Sequence, residues 1–532
     1  MAASAPLAEA SKRGGTLRLA AELDYHSLDP ALVYTYDEGT LAYLVFNPLL
    51  DVDRQGNLIP VLLKRLPDVA PDRLTYTFEL RTGILFSHGR ELVADDVIFS
   101  IERIIDPNMA SPYSAFFRNI LGRADFEEAR KNEAASIAPP QHGQTKRWIS
   151  PTTLAGLRNL DRYRFQIRLS QPDSTLLPYL GTPAGMIVPR EEVSRLGKQF
   201  GVKPIGTGPF ILKEWVRDAR MRFERNPRYI QPGQPYLYAV EVGLNIDRSA
   251  QAMMFERGEL DAQLWIGDPD FIRYRKDRKM TSLMSTIHGN MNNYISLNCE
   301  MGPFTNRLVR QAMNYAVNKE ALVKKSHYRV VPSHGVLPMN VKGFNTNLPA
   351  YSYNPDKARS LLAQAGFHQG FETTLWVAGS GDTLALSIQQ DLEAVGIKVQ
   401  LKEVSKAVLT DAIGQRHKVP MGSWDWAITI DDPKDTLDTL FNSDGLTDQG
   451  CLNVAFYSNP AVQSLLRAAN VDFDDHRRLR RYQQVEELIV QDAPWIFLCM
   501  TNTEILTQPW LKGLLLRGTY PTVRIEQCWL ER

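Results

Sequence analysis

Along this chain the apolar period keeps switching between two and three-to-four. Leu74, Tyr76, Phe78 and Leu80 recur at every second residue, as they do on a strand with one face buried. Residues 14–20, 162–169 and 397–401 alternate in the same way. Between these lie helical stretches. Residues 94–104 carry Asp95 and Asp96 at the front, where acids suit the positive end of the helix dipole. Residues 355–365 start at Asn354-Pro355 and stop at Gly366, and residues 384–395 stop at Gly396. Residues 475–490 form a further helix, followed by an apolar strand around Trp495. The polar segment 126–150 reads as an exposed loop. This is a mixed α/β chain throughout. At 532 residues it is too long for one core, so it requires two or three domains.

Charge and motif content exclude several function classes. Lys plus Arg total 61 against 60 for Asp plus Glu, so there is no basic excess for nucleic acid. The densest basic run, 476–481, falls in a helical pattern and reads as a solvated face. Cys299, Cys451, Cys499 and Cys528 stand far apart with no CxxC pair, which leaves one or two disulfides open but argues against a zinc or redox motif. No apolar run reaches membrane-spanning length. The small-residue stretch 2–10 resembles the first residues of a chain after signal cleavage, the alternative being a cytosolic protein.

No GxSxG elbow, P-loop, GxGxxG or HExxH is present. The nine histidines are dispersed, and the acid pairs Asp95-Asp96, Asp431-Asp432 and Asp474-Asp475 read as caps and turns. No catalytic residue, metal ligand or cofactor is therefore expected. Gly206-Thr207-Gly208-Pro209-Phe210 suggests a sharp reversal or a crossover between domains, or else an ordinary tight turn.

The order of short motifs carries a resemblance. Ser27-Leu28-Asp29-Pro30 comes first, followed by residues 80–89 with Ala94-Asp95-Asp96-Val97. Then come Gly206 to Phe210 with Glu224-Arg225-Asn226-Pro227-Arg228-Tyr229, and Phe304 with 309–319. Tyr353-Asn354-Pro355-Asp356-Lys357-Ala358 with Leu361-Leu362 and Ala365-Gly366 closes the series. In this order they resemble family 5 of the bacterial extracellular solute-binding proteins, the peptide-, nickel- and glutathione-binding proteins of ABC importers, over nearly the whole chain.

The resemblance implies a periplasmic binding protein-like α/β fold of the three-domain, cluster C type, with two lobes and a hinge. Domain I would take residues 1–45, 205–270 and 503–532, domain II 46–204 and domain III 271–502. It implies a periplasmic, monomeric capture protein rather than an enzyme. Its partners would be a small peptide or peptide-like ligand and the permease subunits of the transporter, with no nucleic acid and no membrane insertion. Other readings are a peptide or glycan hydrolase with an unrecognised site, a cytosolic sensor, and a binder of a metal chelate or glycoconjugate.

Site residues can be assigned where motifs match. The family stretch "GWxxDYxDP" falls on 425–433, which places its tryptophan at Trp426 and its ammonium-pairing aspartate at Thr429. A neutral Thr cannot supply the charge-assisted hydrogen bond. Asp431 or Asp432 supplies the charge from a shifted position, or both cap the following turn. Trp424 and Trp426 share strand parity, and either stack on a ligand or fill a core. Tyr34 and Tyr36 lie where the family lines its pocket, and Asn293 opens a strand over 294–298. Residues 453–459 resemble the glutathione-binding branch, which tilts the ligand toward a modified or γ-linked peptide.

Overall fold

The computed structural model describes residues 12–136, 153–379 and 383–531. The N-terminal stretch 2–10 and residues 137–150 of the expected loop lie outside them. The chain divides into two compact units, 1–285 with 504–532 and 286–503. It passes between them twice, in the strands Met284–Leu297 and Trp495–Thr507.

In unit 1, β1 (Thr16–Ala20) pairs in parallel with β6 (Ala239–Gly243), and the sheet continues antiparallel through β5 (Arg220–Arg225) to β4 (Phe210–Val216). A second four-stranded sheet centres on β2 (Thr75–Glu79) and β3 (Arg164–Arg168). Its alternating residues Tyr76, Phe78, Phe165 and Ile167 are all buried, as the period of two requires.

Helix α1 (Tyr36–Val45) begins with a capping box. Thr35 accepts from the Glu38 amide, and the Glu38 carboxylate accepts from the Thr35 amide. Asp96 closes the start of α2 (Ala94–Ile105) by accepting from Val93 N–H at 3.0 Å. Asp29 of the early motif is buried and holds Arg103 of α2 through both terminal guanidinium nitrogens.

One expectation changes here, and one glycine motif gains its reason. Residues 126–136 are not loop but part of helix α3 (Arg123–Ser136), in which Arg130 is tied to Asp106 and Glu133. The pairs offset a weak apolar pattern. Gly206 and Gly208 have no left-handed φ. They are glycines because a Cβ at either position would overlap the Val45 carbonyl at the end of α1.

In unit 2, a mixed sheet has the order β11 (Trp495–Thr507), β7 (Met284–Leu297), β10 (Met421–Ala427), β8 (Phe371–Ala378) and β9 (Ile397–Val404). β7 and β10 are antiparallel, while β10, β8 and β9 run parallel. Parallel neighbours need crossover helices. Helix α7 (Thr383–Glu393) joins β8 to β9, and α8 (Lys406–Ile413) joins β9 to β10.

Further helices pack around this sheet: α4 (Arg307–Ala316), α5 (Lys319–Lys325), α6 (Pro355–Gln364), α9 (Lys434–Phe441), α10 (Pro460–Asn470) and α11 (Asp475–Asp492). Two apolar cores result, one containing Ile295, Leu297 and Met421 and the other Tyr294, Phe441 and Trp495. Residues alternate between them along β7, so the sheet separates the two.

The basic run 476–481 is a solvated face only in part, with His476, Arg477 and Arg480 exposed. Arg478 is buried on α11 against Asp432, and Arg477 and Arg481 both bind Asp472. Asp474 caps α11 by accepting from Arg477 N–H. The four cysteines form no disulfide. Among the described residues no helix is long and apolar enough to cross a membrane.

Candidate functional site

Cross-strand register places the residues of unit 2. Tyr294 lies opposite Trp424, and Asn292 opposite Trp426. Both tryptophans therefore share one sheet face, as their parity predicts, and both pack half-buried against the core around Trp495. The Lys406 ammonium stands 4.5 Å from the Trp424 ring centre and also pairs with Asp425 at 2.8 Å.

Asn293 sits well inside β7 rather than at its start, and lies opposite Asp425 on the other face. Its Nδ2 donates to Thr501 Oγ1 at 2.7 Å. The sheet thus brings Trp424 and Trp426 together and turns Asn293 away from them.

Beyond β10 the chain turns into α9. Thr429 N–H donates to Asp435 Oδ2 at 2.7 Å. Asp431 accepts from Lys342 N–H at 2.7 Å, with the Lys342 ammonium 3.8 Å away, and burial raises its pKa. Asp432 is buried, accepts from Lys434 N–H at 3.0 Å and grips Arg478 at 2.6 Å. Asp431 keeps a partly exposed carboxylate, whereas that of Asp432 is committed inside the unit.

Tyr34 and Tyr36 belong to unit 1. Tyr34 is 65% exposed. Thr35 is a helix cap, so strand parity does not apply to this pair. Tyr36 opens α1 and packs against Trp265 and Tyr520, with ring centres 6.1 and 5.7 Å apart. Trp265 Nε1 donates to Asp37 at 2.7 Å.

Besides Trp426, several polar residues of unit 2 escaped sequence reasoning. Asn292 Oδ1, Tyr294 OH, Trp426 Nε1, Thr436 Oγ1, Glu486 Oε2 and Trp495 Nε1 are buried without a hydrogen-bond partner. Glu486 of α11 is wholly buried, and burial pushes its pKa up to about 7. Its Oε1 accepts from both Val336 and Leu337 N–H at 3.0 Å. Lys319, the first residue of α5, is also buried, and burial brings its ammonium down to about 7. It donates to Ser333 O at 3.2 Å. A signal for Glu486 existed: it falls on the apolar stripe of α11 with Tyr482, Val485 and Ile489, where an acid is out of place.

The chain is thus an α/β scaffold in two units, with half-buried Trp424 and Trp426 near the end of β10. The chain matches the family described as bacterial extracellular solute-binding proteins, family 5 Middle, over residues 57–448, and it belongs to that family. The glutathione-binding protein GsiB of Escherichia coli O1:K1 / APEC is 30% identical over 482 residues, covering 89% of this chain and 86% of the relative. The protein of the same name from Shigella flexneri serotype 5b (strain 8401) is 29% identical over 483 residues, with the same shares covered.

Among solved structures, the ABC transporter-associated periplasmic binding protein DppA from Helicobacter pylori, in complex with peptide STSA, has a TM-score of 0.81 at 24% identity. It covers 99% of this chain and 100% of its own. Clavulanic acid biosynthesis oligopeptide binding protein 2 reaches 0.87 at 21%, covering 98% and 96%. The fold is that of the periplasmic peptide-binding proteins.

Proposed function

We propose that this protein is the capture subunit of an ABC importer, taking up a peptide or peptide-like small molecule outside the cytoplasmic membrane and delivering it unchanged to the permease. The observation that carries the reading is family membership along most of the chain, with relatives named for glutathione and for peptides. A periplasmic location, a monomeric state and the absence of catalysis go with it. So does the finer division into domain I (1–45, 205–270, 503–532), domain II (46–204) and domain III (271–502), with a hinge between lobes. Closure of hinged lobes is a sound capture device because it takes polar contacts out of water.

Trp424, Trp426, Thr429, Asp431 and Asn293 are the ligand-facing candidates in unit 2, and Tyr34 and Tyr36 those in unit 1. Asp432 acts through the turn that bears Asp431. Thr429 stands where a carboxylate would pair with a peptide's ammonium, which favours a modified or γ-linked peptide such as glutathione over a plain dipeptide. The test is thermal unfolding across a panel of dipeptides, oligopeptides, glutathione and a nickel chelate. Ligand at one hundred times its Kd stabilises by about 2.7 kcal/mol, so a true ligand raises Tm clearly. A panel without any shift refutes the peptide-like reading.

A further inference from the structure

Three aromatic rings from distant parts of unit 1 meet at the start of α1. Tyr36 packs against Trp265 and Tyr520, with ring planes tilted by 55° and 44°. Tyr520 OH donates to Thr35 O at 2.9 Å. Gly39 is a glycine to make room for this ring, because a Cβ there would stand 2.5 Å from its phenol end. All three rings stay half-buried.

Asp37 is fastened to this cluster. Trp265 meets Tyr36 with its ring and donates through Nε1 to Asp37 Oδ1 at 2.7 Å. Among the described residues that is the one hydrogen bond of the Asp37 side chain, and Oδ2 has neither a donor nor an ion pair. The residue is half-buried, so its carboxylate is not sealed inside the unit. An acid in a first helical turn is ordinarily explained by the helix dipole. Here Glu38 already closes the capping box, and Asp37 turns to an indole instead of a backbone amide.

We propose that Asp37, walled by Tyr36, Trp265 and Tyr520, is the counter-ion for an ammonium group of the captured solute. A cation complements both parts of the cluster. The free Oδ2 accepts a charge-assisted hydrogen bond, and aromatic rings attract an ammonium within about 6 Å. Asp37 is therefore a specificity residue, and the solute carries a free amine. The inference rests on the proposed capture function and narrows its substrate class.

The surrounding charges leave this place to a ligand. Arg248 acts on Asp37 from a distance, but its guanidinium is held by Glu22 at 2.8 Å. Arg217, which donates to Tyr25 O, pairs with Asp24 at 3.3 Å. Burial raises the Tyr25 phenol, and Asp37, Glu38 and Asp24 raise it further, so the local field is negative. Burial raises the Asp37 carboxyl as well; Trp265 and Arg248 pull it down, while Glu38 and Glu22 push it up. A bound ammonium offsets that burial.

The experiment is calorimetric titration of wild type and Asp37→Asn at neutral pH. The probes are glutathione, dialanine and trialanine, each with its amine free and N-acetylated. D37N keeps the shape and the acceptor for Trp265 Nε1 but removes the charge. In the wild type, acetylation weakens a bound probe by about ten- to hundredfold. In D37N the two forms bind alike, near the wild type's acetylated level. The preference for the free amine is the quantity read, and a merely structural role for Asp37 would move stability and leave that preference intact. An equal preference in both proteins, or no cost of acetylation in the wild type, overturns the assignment while capture stands.

If no probe binds either protein, peptide capture fails and a second readout judges the subsite by itself. Carboxyl NMR on protein labelled at its aspartates, with D37N identifying the signal, follows the titration of Asp37. It is run in methylammonium chloride and in sodium chloride of equal ionic strength. The ammonium binds the ionised form, so the Asp37 titration lies lower in methylammonium. Coinciding curves overturn the subsite.

Discussion

Replacing Asp432 by Ala tests whether this acid serves the fold or the ligand. Its carboxylate and the Arg478 guanidinium lie 2.6 Å apart, each side chain only 8% exposed. The same carboxylate also accepts from Lys434 N–H at the start of α9. D432A leaves a buried guanidinium with Asp475 as its remaining ion pair, at 3.2 Å, and that acid is 80% exposed and well screened.

Removing one partner of a buried pair costs about 3–5 kcal/mol, and losing the amide contact at the helix start adds about 1 kcal/mol. The double variant D432A/R478M removes both charges together, and its cost falls well below the sum of the two single costs. The assay is a double-mutant cycle by urea unfolding followed by tryptophan fluorescence, on ligand-free protein. A D432A cost below about 1 kcal/mol, or a loss of ligand affinity with stability unchanged, refutes the reasoning and makes Asp432 a ligand group.

Lys319 gives the fold a pH dependence of its own. Its folded pKa is lowered, so the unfolded chain binds the extra proton above about 7, and stability rises with pH from there toward the lysine range. Lys319→Met flattens that rise, which pH-resolved unfolding detects; a slope that survives in K319M places the titration elsewhere. Trp426→Phe keeps the packing against the unit 2 core but removes the unpartnered Nε1–H. Ligand affinity measured by calorimetry then drops on the order of tenfold, while an unchanged affinity removes Trp426 from the polar contacts.

Much of the architecture was legible because it rests on local rules. Period-two patterns located β2, β3 and β9, and the Asn354-Pro355 and Gly366 signals bracketed α6. The features that were not legible depend on tertiary partners. Helix α3 has little apolar pattern and is tied down by Arg130, whose partner Asp106 lies outside it. Gly206 and Gly208 suggested a reversal, a crossover or a tight turn, but what requires glycine there is close approach to Val45, a contact between distant parts of the chain.

The tryptophan pair at 424 and 426 was visible from parity. The roles of Asp431 and Asp432 were not, because two adjacent acids look alike until Lys342 and Arg478 are placed beside them. Glu486 carried a local sign, an acid on an apolar stripe, whose meaning depends on the Val336 and Leu337 amides arriving from a distant segment.

The central claim is that a peptide-like guest is held and released chemically intact. It is tested most directly by native mass spectrometry of protein taken from its host, followed by denaturation and identification of whatever small molecule comes off. The account predicts one guest per chain, peptide-like in composition, whose mass stays the same after prolonged incubation with fresh protein. A guest of unrelated chemistry, or one converted to a product of different mass, contradicts it.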